Sequence, residues 1–306
     1  MSAAPTKPTP SPIPERPSRN EAKHEDVDSS TMDDLEKVEG ELRKIQQDII
    51  QLEIKSAELE QSRPRPRPTF PKPKLRLKVQ DLGHHGTEVF FANINPTTVL
   101  SKAVETVLSL LYGSSRTNKH IPCTRSITLN LCSMDGVADT GGSELNDNDK
   151  TIRFSLNYID NICKDPGAEI QGVLVHEVVH CWQWNGLDSA PGGLIEGIAD
   201  FVRMKAGLSP GHWKKEAGEK WDAGYQTTGY FLEWIESKFG TGSVIKINQA
   251  LQDEKYQEKS FWHGLFGADV TDLWERYSKS LEEEINKITN DLQGDYDRPT
   301  HLASYA

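Results

Sequence analysis

No stretch of this sequence reaches the eighteen or more consecutive apolar residues of a membrane-spanning helix, and the N-terminal MSAAPTKPTPSPIPERPSRNEAK lacks the apolar centre of a secretory signal. Basic residues are outnumbered too. Lys and Arg total 35 against 46 Asp and Glu, a formal net charge of -11, which argues against a protein that works by neutralising many phosphates. Cysteine is scarce: Cys123, Cys132, Cys163 and Cys181 form no CxxC pair, and a chain of 306 residues needs no disulfide staples. These absences lead to the expectation of an intracellular, cytoplasmic protein with reduced thiols, with neither a membrane nor a nucleic acid as its partner.

Large apolar side chains are almost missing from residues 1–31, where Pro, Ser, Thr and charge dominate. Too little surface can be buried there to offset the entropy of ordering, so a disordered tail is expected. Over residues 32–62 the pattern changes. Leu35, Val38, Leu42, Ile45, Ile49, Leu52 and Leu59 follow alternating three- and four-residue steps, with Ser56 breaking the seam. That reads either as a short coiled coil or as an amphipathic helix lying on the rest of the chain. A coiled coil would let a homo-oligomer or a partner helix join through residues 35–59. A Pro/Arg-rich linker is placed over residues 63–75, and its RPRPRPTFPKPK favours an extended spacer. A folded domain is expected over 76–292, with a flexible tail over 293–306.

Within that domain, folded material starts with LRLKVQDLG and EVFFANI, followed by a helical stretch from about Thr97 to Tyr112. SITLNLC and TIRFSLNYI alternate as strands do. Between them DGVADTGGSELNDNDK does not meet the EF-hand order of calcium ligands and reads as a surface loop. After about Ala168 helical patterns dominate, in the segment holding HEVVHCWQWNG, in LIEGIADFVRMKAG, in GYFLEWIESKFG, in SVIKINQALQ and in VTDLWERYSKSLEEEINKI. Sheet first and helices after predict an α+β domain.

HEVVHCWQWNG is the most informative stretch. On a helix, His176 and His180 share a face and can point their rings at one ion, while Glu177 projects beside them toward a water molecule. The bland alternative is a polar interruption of an apolar helix. Sixteen residues after His180, LIEGIADFVR sets Glu196 and Asp200 one turn apart, with Arg203 near the same face. Apolar neighbours suggest that this helix is buried, and buried carboxylates need partners. Glu196 is therefore the candidate third ligand of a single zinc ion, and Asp200 the candidate acceptor for the far ring proton of a liganding histidine. Tyr225, and after it Tyr230, are candidate donors to a developing oxyanion, or else core aromatics. TIRFSLNYI could pair with an extended substrate or be an interior strand. Trp182, Trp184 and Cys181 are expected in the core, and His212 and His263 in structural or exposed positions.

HEVVHCWQWNG followed by LIEGIADFVR resembles the gluzincin branch of zinc metallopeptidases. More narrowly, the chain resembles the plant basic secretory protein family, described as peptidases of plants and bacteria, over most of residues 76–280. The blocks VFFANINPTTVLSKAVETVLSLLY, ITLNL, DGVAD, IRFSLNYI, EGIAD, WDAGYQTTGYFLEWIE and DLWERY carry that resemblance in order. It implies a zincin-like α+β domain with a small N-terminal mixed sheet and a mainly helical C-terminal part. It also implies a peptide or protein substrate, zinc held by His176, His180 and Glu196, and Glu177 as general base. The chain departs from the family's name in being acidic and in showing no secretion signal. It does not resemble the metzincins, because the positions three and six after His180 are Gln183 and Gly186. The competing expectations are an inactive scaffold of the same fold and an adaptor acting through residues 32–75. A scaffold gives no reason for Glu177.

Overall fold

The computed structural model describes residues 29–62, 70–113, 121–143 and 145–296. The chain divides into two compact units, Met1–Pro66 and Arg67–Ala306. In the first, helix α1 spans Ser29–Ser62, and its seam residues Val38, Leu42, Ile45, Ile49 and Leu52 are exposed. Residues 29–31 are thus helical, contrary to the expected tail, because the acidic and apolar pattern that follows extends the helix backwards. The rest of that tail lies outside the described residues.

The second unit begins with strand β1 (Lys74–Val79), helices α2 (His85–Asn93) and α3 (Pro96–Tyr112), and strands β2 (Ser126–Cys132), β3 (Ala138–Ser143) and β4 (Asn146–Ser155). Helices follow: α4 (Leu156–Asp160), α5 (Pro166–His180), α6 (Gly192–Lys205), α7 (Tyr225–Phe239), α8 (Ser243–Ala250), α9 (Glu258–Phe266) and α10 (Val270–Tyr296). The architecture is α+β, with a four-stranded mixed sheet of order β1-β2-β4-β3. β1 and β4 both run parallel to β2, and β3 runs antiparallel to β4. No described helix is long and apolar enough to cross a membrane.

Lys74 and Leu75, assigned to the linker from sequence, already belong to β1, where they pair with Ser126 and Ile127. Residues 63–69 lie outside the described residues. At the far end α10 carries residues 293–296 of the expected flexible tail, and residues 297–306 lie outside the described residues.

Local chemistry sets several element ends. Asn95 accepts hydrogen bonds from the Thr97 and Thr98 amides, Pro96 occupies the first helical turn, and Gly113 (φ 67°) ends α3. Ser155 caps α4 by accepting from the Tyr158 amide at 3.2 Å, so the strand expected through NYI stops at Ser155 and turns helical. Asp165 caps α5 through the Ala168 amide, with Pro166 behind it.

Ile127, Leu129 and Leu131 of β2 and Ile152 and Phe154 of β4 are fully buried, as are Val107, Leu108 and Leu111 of α3 and Leu174, Val178 and Val179 of α5. This is the apolar layer that supports α5. The end of α5 is held as well: Thr124 Oγ1 donates to the Cys181 carbonyl at 2.7 Å, and Tyr112 donates to the Trp182 carbonyl. Carbonyls past the last helical turn have no intrahelical partner, so these two donors satisfy groups that would otherwise be orphaned. Cys181 and Trp182 are buried, as expected.

The sheet corrects one expectation and decides between two alternatives for another segment, in favour of the interior strand. The stretch DGVADTGGSELNDNDK forms β3 and the start of β4 rather than a surface loop; its Asp, Asn and Gly mimic a loop because β3 is an edge strand with little apolar face. TIRFSLNYI contributes to β4, which is paired on both sides and therefore has no free edge for a substrate. Free edges belong to β1 and β3, and β3 carries a register shift between Gly142 and Ser143.

α6 and α7 pack closely through glycine. A Cβ on Gly197 would lie 2.3 Å from Thr228 Cγ2 and 2.4 Å from its Cβ, and Thr228 is fully buried. Gly197→Ala gains a little helix propensity, but the clash with a β-branched side chain that cannot move should outweigh it. The expected net destabilisation is roughly 1–3 kcal/mol, read as a lower midpoint of denaturant unfolding with unchanged slope.

Candidate metal centre

α5 and α6 lie antiparallel and are tied at both ends. Near the start of α5, Glu169 Oε2 accepts from Arg203 Nη2 of α6 at 2.8 Å, and Arg203 Nε donates to the Leu208 carbonyl. Gly172 makes room for this guanidinium, since a Cβ there would be 2.6 Å from Arg203 Nε. Beyond the end of α5, Gln183 Nε2 donates to the Ile195 carbonyl at 3.1 Å. Between these ties the two helices face each other with His176, His180, Glu196 and Asp200.

Glu196 Oε2 lies 3.0 Å from His176 Nε2 and 3.7 Å from His180 Nε2. The two rings stand edge to face with centroids 4.9 Å apart. One ligand atom from each of His176, His180 and Glu196 can be chosen so that all lie within 4.8 Å of one another, a grouping able to hold a metal ion. The far ring nitrogens are both engaged: His176 Nδ1 donates to Asp200 Oδ1 at 2.7 Å, and His180 Nδ1 to Gln183 Oε1 at 2.6 Å. Asp200 is 2 % exposed, so its carboxylate is committed to that ring.

The electrostatics follow from this crowding. Burial opposes charging His176, yet the hydrogen bonds to Asp200 and Glu196 outweigh it and raise its pKa to about 9. Burial, and then the charge on His176, push His180 down. Glu196 is drawn below its ordinary range by the two histidines despite burial. His176 Nε2 and Glu196 Oε2, 3.0 Å apart, present a nitrogen and an oxygen that a cation could share. Two imidazole nitrogens and a carboxylate oxygen, with both rings held from behind, make a donor set that fits a divalent metal.

Glu177 is buried beside this group. Burial raises its pKa, working against a hydrogen bond from Thr140 Oγ1 to its Oε2 at 2.6 Å. Thr140 belongs to β3, so the edge strand orients the carboxyl group. Tyr225 stands at the start of α7 with φ 47°, a conformation that costs a non-glycine residue on the order of 1 kcal/mol or more. Its ring stacks over His176 at 6.3 Å, nearly parallel, and it is 60 % exposed. The charge on Glu196, and then burial, raise its pKa. Tyr230 packs edge to face on Trp213 instead.

His176, Glu177, His180, Glu196, Asp200 and Tyr225, but not Tyr230, line one cleft of about 990 Å³, which runs from Gly136–Thr140 on the sheet side past the histidines to Arg203, His212 and Trp213. The structure thus brings together His176, Glu177, His180, Glu196, Asp200 and Tyr225. His212 lines the cleft from an exposed position, and His263 is exposed on α9, 3.9 Å from Asp269. Sequence reasoning missed Thr140 and the roles of Gln183 and Glu169. The His180–Gln183 spacing of three was the available signal for one of them; Thr140 and Glu169 had none.

The profile of one protein family, described as BSP, peptidase of plants and bacteria, matches residues 72–277. No curated protein and no solved structure matches the chain.

Proposed function

Because the chain belongs to the BSP family, the peptidases of plants and bacteria, we propose that it is a zinc-dependent peptidase whose ion is held by His176, His180 and Glu196. The observation that carries this reading is the convergence of three ligand atoms within 4.8 Å, with Asp200 and Gln183 behind the two rings. Two histidines and a glutamate form one of the ligand sets of catalytic zinc sites. Zinc, when bound, supplies Lewis acidity that polarises a peptide carbonyl and brings the acidity of water close to neutral pH.

The remaining work falls to side chains of this chain. Glu177 takes the proton of the attacking water and passes it to the departing amine nitrogen. Thr140 engages Oε2 and leaves Oε1 for the water, and burial makes the carboxylate a stronger base than an exposed one. Asp200 holds the His176 ring in the tautomer that aims Nε2 at the ion. The substrate is a peptide or protein, and an extended segment of it can add to the outer edge of β3, because Gly136, Val137, Ala138, Asp139 and Thr140 line the cleft.

Tyr225 is the proposed donor to the oxygen on which charge develops. Tyr225→Phe keeps the ring stacked on His176 and removes only the hydroxyl, so kcat should fall about a hundredfold while KM changes little. An unaltered kcat would return Tyr225 to a packing role.

An inactive scaffold is the rival reading. Nothing about ligand binding alone would require a buried Glu177 with a threonine holding one oxygen in place. Elemental analysis of the purified chain, combined with chelator-reversible cleavage of a denatured protein mixture, tests the proposal. One zinc per chain with recoverable cleavage is expected; zinc without cleavage would favour the scaffold.

A further inference from the structure

Gln183 joins two things that the fold must keep in register: the last ligand of α5 and the backbone of α6. Its own backbone is fixed, because its amide donates to the Val179 carbonyl at 2.8 Å just past the end of α5. Its side chain then bridges the two helices, with Oε1 2.6 Å from His180 Nδ1 and Nε2 donating to the Ile195 carbonyl at 3.1 Å. A carbonyl oxygen can only accept, so the amide NH2 must face Ile195. The orientation of the amide is thereby decided, and its oxygen must face the imidazole. An oxygen at that distance requires a proton on Nδ1, which leaves the lone pair of His180 on Nε2, the nitrogen facing Glu196.

We propose that Gln183 is a positioning residue for the metal centre, selecting the His180 tautomer that presents Nε2; the tie to the Ile195 carbonyl serves to turn the amide oxygen toward the ring. This rests on the metal reading of the site. The two histidines are then oriented by unlike partners, His176 by the carboxylate of Asp200 and His180 by a neutral amide. The difference has a charge rationale. Glu177, Glu196 and Asp200 already crowd the cleft with carboxylates, and an amide orients the second ring without adding another.

Two substitutions separate the tasks of Gln183. Gln183→Met is close in shape but offers Nδ1–H no good acceptor and gives Ile195 no donor. Gln183→Glu restores an acceptor for Nδ1–H and still gives Ile195 no donor. Zinc dissociation constants, measured by competition with a chelator, are compared with thermal unfolding of the metal-free proteins. Gln183→Met should weaken zinc binding roughly 10- to 100-fold, and Gln183→Glu should stay within a few-fold of the wild type although both lose the tie to α6. If Gln183→Met binds zinc as the wild type does, the proposal is wrong. Equal weakening in both variants, in step with lower metal-free melting temperatures, would make Gln183 a structural tie and overturn the tautomer role. A wild-type chain that takes up no stoichiometric zinc would overturn the metal reading itself, a result distinct from either of these.

Discussion

Glu177→Gln should leave zinc bound and lower kcat by roughly a hundred- to ten-thousand-fold, the contribution of a positioned general base. The replacement is nearly isosteric. Thr140 can still donate to the amide oxygen where it now donates to Oε2, and none of the three ligand atoms is touched. KM should therefore move little, and the loss should be confined to the chemical step. Neutralising a buried carboxyl group also removes a desolvation cost, so the variant should unfold at the same or a slightly higher temperature. Zinc stoichiometry, circular dichroism and initial rates on one peptide substrate check the three parts together. Undiminished turnover with full zinc content would remove Glu177 from the mechanism.

Stripping the metal should abolish cleavage entirely without unfolding the protein. α5 and α6 are joined by contacts that need no ion, the Arg203–Glu169 pair and the Gln183 bridge, and α6 is in turn packed on α7 through Gly197. Helical content after chelation should thus be that of the loaded protein, and one equivalent of zinc should restore activity. Binding only to the folded state also predicts extra stability, about 4 kcal/mol at a free zinc concentration a thousandfold above Kd. His180→Ala, which deletes one donor, should lose zinc and activity together, and added zinc should not rescue it at concentrations that rescue the stripped wild type. Full cleavage by a protein holding well under one equivalent of any metal would refute the assignment.

Much of this centre could be read from the chain because its residues sit on two helices, where spacing translates into direction. His176 and His180 four apart, and Glu196 and Asp200 four apart, are local facts that place side chains on one face of each helix. What spacing could not supply is the partner across the fold. Thr140 reaches Glu177 from a strand 37 positions earlier, and no local pattern marks it. β3 itself was hidden because an edge strand carrying Asp139, Gly141 and Gly142 has no alternating apolar face, the one signal by which strands are recognised. The opposite error occurred after Ser155. Leu156, Tyr158 and Ile159 look like more strand, yet one serine hydroxyl facing the Tyr158 amide starts a helix. The placement of Tyr225 depended on Gly224 and on the close approach of α7 to α6, geometry set by contacts between elements distant in sequence.

An open strand rim beside a cleft has a cost in crowded solution. Unpaired amides and carbonyls along β3 can template any extended segment, including one from an unfolded sibling molecule, and such rims are where aggregates begin. The bulge between Gly142 and Ser143 interrupts the ladder and bends the strand away from a straight continuation, so an intruding chain finds only a short run of partners. That length suits a transient visitor better than a growing fibril.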